Sequence, residues 1–299
     1  MGRIFNGSTA LLIGLVLSAC GQVPDVNEWR VGMSAGRLGR INEDQMYEIR
    51  RAGFDCIEIG LGRIRSEEDL ETMSTQAALL KEAADEAGID IWSIHIPYGR
   101  DIDISLIDSV GRERAVEEIK AMMTLCEHLH PEKLVIHASF EPVPAEEREQ
   151  RLAMCEESLA LLSKEAEQYE AQLVVECLPR TCLGNTSKEI LALVEAVNGL
   201  GVCCDTNHLL QETTAEFIEA VGGWISTLHV AEYDGVDERH WLPGHDDGVI
   251  DWMKVIGNLV SSGYSGPFMF ECAGTPAEKM AVWSELKADY QESMRNREP

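Results

Sequence analysis

Short apolar runs alternate eight times with longer stretches of helical periodicity. The runs fall at 30–33, 56–59, 91–95, 133–137, 172–176, 201–205, 227–231 and 267–271, and the helical stretches near 43–52, 74–87, 112–128, 145–169, 188–197, 214–221, 252–261 and 277–294. A four- or five-residue apolar run followed by a 3.6-residue pattern reads as a strand feeding a helix. Repetition of that unit builds a parallel sheet covered by helices. Eight of each predicts a closed barrel, and a single barrel commonly fills about 250 residues. Gly53, Gly88, Pro131, Gly199 and Gly263 fall where helices must stop before the next strand. No linker, low-complexity tract or composition shift divides residues 28–299, so that span reads as one domain. With 45% hydrophobic residues the chain can bury a large core, which excludes disordered and fibrous classes.

The N-terminal segment reads as an address. Residues 10–19 (ALLIGLVLSA) form an apolar stretch behind Arg3, too short to span a bilayer and suited to the hydrophobic region of a signal peptide. The stretch ends in Leu17-Ser18-Ala19-Cys20 before Gly21, which resembles the bacterial lipobox. The expectation is a signal peptide over 1–19, lipidation of Cys20, a tether over 20–27 and a soluble domain held at a bacterial membrane, periplasmic or at the cell surface, by its lipid alone. The eight other cysteines include no CxxC pair. They read as buried thiols, because several lie inside strand-like runs.

Charge restricts the partner. Lys and Arg number 25 against 52 Asp and Glu, a net charge of −27, and no basic block offsets it. Nucleic-acid binding requires cations to displace phosphate counterions, so DNA and RNA are unexpected partners. A small neutral or metal-chelated substrate fits better.

Ionisable residues concentrate at one place in the pattern. His95, His137, Glu176, Asp205 and Glu271 end the third, fourth, fifth, sixth and eighth runs, and His229 lies within the seventh. In a parallel barrel the strand ends emerge on one face, so these residues converge. Carboxylates and imidazoles crowded there require a neutralising cation. An oxygen-rich set with histidine suits Mn²⁺, Mg²⁺, Co²⁺ or Zn²⁺. Chelation of a carbonyl and a neighbouring hydroxyl by such an ion would acidify the adjacent C–H, and a carboxylate within reach would take the proton.

The ordered motifs IHIPYG, VIHASF, VVEC, CCDTNHL, LHVAEYDG with DERHWLPG behind it, and FECAG resemble the xylose isomerase-like TIM-barrel superfamily. That superfamily includes sugar isomerases, sugar epimerases and an apurinic endonuclease branch. The resemblance implies a single (β/α)8 TIM barrel with a metal site at the C-terminal end of its strands. The implied ligands are Glu176, Asp205, His229 and Glu271, with Glu176 and Glu271 also exchanging protons and His208 steering a substrate oxygen. His95, His137, His208, Glu238 and His240 stand at positions similar to those that bind two additional zinc ions in the endonuclease branch, with Glu238 where that branch carries Asp. They are therefore candidates for further metal or substrate binding.

The 234–251 loop resembles the family's PG-x-G-x-I-D-W loop, lengthened by His245-Asp246-Asp247. Tyr98, Phe140, Arg180 and Trp241 are candidates to line the pocket, aromatics by stacking on sugar faces and Arg180 by clamping a carboxylate or phosphate. No role is assigned to His128, His130 or His245. The functional expectation is a metal-dependent isomerase or epimerase of a free sugar, sugar acid or keto-sugar, acting through an enediolate. Alternatives are a keto-glycoside lyase or hydratase on the same site, a trinuclear zinc phosphodiesterase, and a carbohydrate-binding lipoprotein without activity. An oligomer is compatible with all of these.

Overall fold

In the computed structural model, which describes residues 25–296, every expected run is a strand. They are β1 (Val31–Arg37), β2 (Cys56–Gly60), β3 (Asp90–His95), β4 (Lys133–His137), β5 (Gln172–Glu176), β6 (Gly201–Asp205), β7 (Ile225–His229) and β8 (Phe268–Phe270). They pair in parallel in the order β7-β6-β5-β4-β3-β2-β1-β8. The ring closes just past β7, where Val230 bridges Phe270. There the Val230 N–H donates to the Met269 carbonyl at 2.8 Å, and the Glu271 N–H donates to the Val230 carbonyl at 3.1 Å. The result is a (β/α)8 barrel with no open sheet edge.

The helices are α1 (Glu43–Ala52), α2 (Glu67–Ala87), α3 (Ser109–Met123), α4 (Cys126–Leu129), α5 (Arg148–Ala166), α6 (Ser187–Ala196), α7 (Thr214–Val221), α8 (Trp252–Ser262) and α9 (Pro276–Arg295). Local chemistry explains where they differ from expectation. Helix α2 starts seven residues early because the Ser66 side chain caps the Asp69 N–H, with Glu67, Glu68 and Asp69 at the positive end of the dipole. The stretch expected as one helix over 112–128 is two. At the break, the Thr124 hydroxyl donates to the Ala121 carbonyl at 2.7 Å, a back-bond that competes with the helical ladder. Gly53, Gly88 and Gly263 end α1, α2 and α8 in the left-handed conformation, at φ 108°, 69° and 79°, which a side chain would strain.

Most apolar strand side chains face the helices and share one large core. Small clusters fill the barrel: Cys56, Trp92 and Met269 form one, and Val135, Val174 and Cys203 another. The Trp92 indole N–H donates to Thr227 Oγ1 at 3.0 Å, tying β3 to β7 across the interior. A side chain on Gly32 would meet Met269 Cε at 2.5 Å, so this end of the barrel is filled solid.

Of the segment expected as a tether over 20–27, residues 25–27 belong to the folded body. Val26 is buried in a short 3₁₀ turn and joins the main apolar core. The expected signal peptide and Cys20 lie outside the described residues. The eight cysteines from Cys56 to Cys272 are free thiols, all but Cys272 buried. Among the described residues no helix is long and apolar enough to cross a membrane.

Candidate active site

Each polar strand-end residue owes its place to the phase of its strand. β7 begins and ends two residues earlier than the expected run, so His229 is its last residue and joins Glu176 and Asp205 at the same level. The register pairs His137 with Glu176 and Asp205 with His229. Ligand atoms of Glu176, Asp205, His229 and Glu271 all lie within 4.8 Å of one another. His229 Nδ1 stands at the centre, 2.7 Å from Glu271 Oε2, 3.2 Å from Glu176 Oε1 and 3.9 Å from Asp205 Oδ2. These are the four residues expected to share an ion.

Two further groups flank this one. On one side, Glu176 Oε2 is 3.1 Å from His95 Nε2 and 2.9 Å from His137 Nε2. On the other, His208, Glu238 and His240 form a group of their own, with His208 Nε2 at 3.1 Å from Glu238 Oε2. The ring nitrogens are sorted by their backbone partners. Nδ1 of His95, His208 and His240 lies 2.9–3.0 Å from the carbonyls of Ile96, Cys177 and Glu271, which leaves Nε2 of each as the other available nitrogen.

The electrostatics show a deficit of positive charge. Burial alone would depress His95 and His208, but neighbouring carboxylates more than offset it. Glu176 holds His95 up at about 9, and Asp205 with Glu238 holds His208 at about 10. Burial and the nearby Glu176 and Glu271 lift Asp205 to about 6, despite the opposing pull of His208. Burial opposes ionisation of Glu271 as well, yet the His229 contact draws it down to about 2. In His137 burial prevails and lowers it. The carboxylates thus recruit imidazolium protons where a cation would serve. Asp205 makes the point most directly: Oδ1 accepts the Asn207 N–H at 2.7 Å, while the buried Oδ2 has no hydrogen-bond partner. The donor set, carboxylate-rich with one imidazole, fits a hard or borderline divalent ion.

Beside this group opens a cleft of about 570 Å³ including its mouth, a size suited to a small ligand; Asp205 and His229 are buried and do not line it. His95, Tyr98, His137, Phe140, Glu176, Arg180, His208, Glu238, His240 and Glu271 all line it. Tyr98 stacks on His137 at 4.1 Å between ring centroids. One expectation needs correction, and another is met only in part. Trp241 is not among the cleft-lining residues: its backbone pairs with Glu232, and its ring stacks on His245 at 4.0 Å. Arg180 reaches the cleft but offers no open fork for an anion, because Glu141, Asp237 and Glu238 bind it at 2.7–3.1 Å.

Three buried residues escaped the sequence reading. Glu58 on β2 is bonded to His229 and Ser93. Asn207 Oδ1 accepts the backbone N–H of Arg239 and His240 at 2.6 and 3.1 Å, fixing the loop that carries Glu238 and His240. Glu232 accepts the N–H of Tyr233, Val249 and Ile250 and the Trp252 indole, which pins the lengthened 234–251 loop from within. The signal for Glu58 and Glu232 was a charge set inside an apolar run, in CIEIG and HVAEYD.

The fold is that of a recognised group of proteins: residues 46–296 match the family described as xylose isomerase-like TIM barrel, and the chain belongs to that family. Among solved structures it is similar to a D-tagatose 3-epimerase-like protein at 22% identity and a TM-score of 0.73, over 89% of this chain and 99% of that one. A 3-keto-D-glucoside 4-epimerase from E. coli is 18% identical, TM-score 0.68, over 87% and 100%. A xylose isomerase-like TIM barrel protein from Mycobacterium smegmatis, in complex with magnesium, is 15% identical, TM-score 0.63, over 89% and 99%. At these identities the likeness is one of fold. No curated protein sequence matches the chain significantly.

Proposed function

We propose that this protein is a metal-dependent isomerase or epimerase of a small carbohydrate, taking a proton from the carbon beside a carbonyl. The observation that carries the reading is the convergence of Glu176, Asp205, His229 and Glu271 within 4.8 Å, with Glu176 and Glu271 lining an open cleft and Asp205 and His229 buried beside them. A divalent ion held by those four, Mn²⁺, Mg²⁺, Co²⁺ or Zn²⁺, would supply positive charge to the substrate oxygens on which negative charge develops.

The chain's own groups divide the remaining work. Glu271 is the better placed base: its side chain is 27% exposed at the cleft, against 1% for Glu176. Glu176 is the opposing group, but both its oxygens face imidazoles, Oε2 those of His95 and His137 and Oε1 those of His208 and His229. Its proton exchange with substrate would be tuned by that histidine set. His208 Nε2, held toward Glu238 at the cleft wall, orients a substrate hydroxyl. Proton return to the neighbouring carbon isomerises, and return on the opposite face epimerises. On a keto-glycoside the same abstraction would expel the β-linked aglycone, which leaves as an alcohol on taking up a proton, and water could then add across the unsaturated ketone that remains.

One observation favours a second reading, a trinuclear phosphodiesterase: the His95–Glu176–His229 group, which shares Glu176 and His229 with the four-donor group, and the His208–Glu238–His240 group are also of metal-binding size. The net charge of −27 weighs against a nucleic-acid substrate. Export and lipid anchoring through Cys20 form part of the proposal and rest on the sequence alone.

The test is deuterium exchange in D₂O against a panel of keto-sugars with added Mn²⁺. Wash-in of deuterium beside the carbonyl is expected. Its absence with every keto-sugar, in protein shown to hold metal, would refute the reading.

A further inference from the structure

His229 differs from three of the other histidines of the site. His95, His208 and His240 place Nδ1 against a backbone carbonyl, whereas His229 is anchored through Nε2, 3.0 Å from Glu58 Oε2, and turns Nδ1 into the four-donor group. Glu58 lies on β2, a strand that contributes no other group to the site. It is 1% exposed, and its register partners are Ser34 and Ser93. Its Oε2 accepts twice, from His229 Nε2 and from Ser93 Oγ at 2.7 Å, while Oε1 is buried with no partner. A buried carboxylate with one bare oxygen is costly. Nothing in β2 packing requires it, since the strand's other buried positions are cysteine and isoleucine.

From this geometry we infer that Glu58 is a positioning residue for the metal centre, holding the His229 ring with its proton on Nε2 so that Nδ1 is the ligating nitrogen. A carboxylate behind a ligating imidazole fixes its tautomer and orientation and raises its basicity. The Ser93 hydroxyl steadies the carboxylate in turn. Glu58 touches neither the cleft nor the other three ligands by hydrogen bond, so its influence passes through His229 alone.

The inference rests on the proposal that an ion sits in the four-donor group, and the experiment separates the two. Full-length protein is stripped of metal and titrated with Co²⁺ and Zn²⁺ against a chromophoric chelator, alongside Glu58→Gln, which keeps the shape and removes the charge. Wild-type protein should bind, and Glu58→Gln should bind roughly 10–100-fold more weakly, with a shifted Co²⁺ absorption spectrum and an unchanged metal-free circular dichroism spectrum. A folded Glu58→Gln within threefold of wild type, with the same Co²⁺ spectrum, would overturn the role of Glu58. Failure of the wild-type protein to bind either ion would overturn the site itself. A second readout needs no variant: in ¹⁵N-labelled wild-type protein loaded with Zn²⁺, His229 should carry its proton on Nε2. A proton on Nδ1 would overturn the inference.

Discussion

Asp103 and Arg151 offer a sharp test of how the cleft wall is held. The Arg151 guanidinium, on α5, bonds to Asp103 in the β3–α3 connection, and both side chains are almost wholly buried, at 7% and 3% exposure. Asp103 also accepts the Ser105 N–H at 2.8 Å, the Ser105 hydroxyl at 2.6 Å and the Phe140 N–H at 2.9 Å. One carboxylate thus ties together the connections that carry Tyr98 and Phe140. In Asp103→Leu the guanidinium keeps only neutral Ser105 Oγ, at 3.1 and 2.7 Å, and stays buried without a counter-charge. Breaking a buried pair from one side costs about 3–5 kcal/mol. At roughly 2–4 °C per kcal/mol for a domain of this size, Tm should fall by about 6–20 °C. Removing both charges in Asp103→Leu/Arg151→Met should recover more than half of that loss, since the desolvation cost of the stranded cation disappears. Thermal and urea unfolding of metal-free wild type, both single variants and the double variant close the cycle. A single variant within about 1 kcal/mol of wild type, or a double variant no better than Asp103→Leu, would refute the reasoning.

Other outcomes follow from the same geometry. Glu271→Gln, assayed at Mn²⁺ concentrations shown by titration to saturate the variant, should lower deuterium exchange into keto-sugar by roughly 10²–10⁴-fold; unchanged exchange would remove Glu271 as the base. His95 and His208, lifted to about 9 and about 10, add stability that is complete below the ordinary imidazole value near ~6.5 and is lost as pH rises through their own. A bound ion replaces that charge, so the Tm gain on adding Mn²⁺ should widen between pH 7 and 9.5, and a narrowing gain would contradict the charge-deficit account. Glu232→Gln places an amide against N–H donors from Tyr233, Val249, Ile250 and Trp252, which should cost about 1–3 kcal/mol and speed proteolysis within 234–251. Cleavage there at the wild-type rate would show that the loop is held by something else.

The barrel was legible in the sequence because strand and helix patterns alternate without interruption, and because polar groups at strand ends are costly unless they serve one another. That logic located Glu176, Asp205 and Glu271 from position alone. It placed His229 mid-strand, since Val230 and Ala231 extend the apolar run beyond the point where β7 leaves the sheet. Glu58 stayed hidden because a single charge within CIEIG carries no spacing signal, and its partner His229 is far away in the chain. Arg180 lines the cleft as expected, but its partners could not be read from the sequence. An arginine beside a cleft reads as an anion clamp until its three carboxylate partners, one from the 141 region and two from 237–238, are brought to it by the fold. Trp241 shows the limit of reading an aromatic in a loop, for its backbone pairing with Glu232 decides where the ring goes.

The central claim is that Glu176, Asp205, His229 and Glu271 grip one divalent ion. Its most direct test is a Mn²⁺ titration of metal-free protein followed by electron paramagnetic resonance, with Asp205→Ala in parallel, since Asp205 Oδ2 is the donor left without a partner. The account predicts one tightly held Mn²⁺ per wild-type chain and loss of that site in the variant; Mn²⁺ held equally well by Asp205→Ala would contradict it.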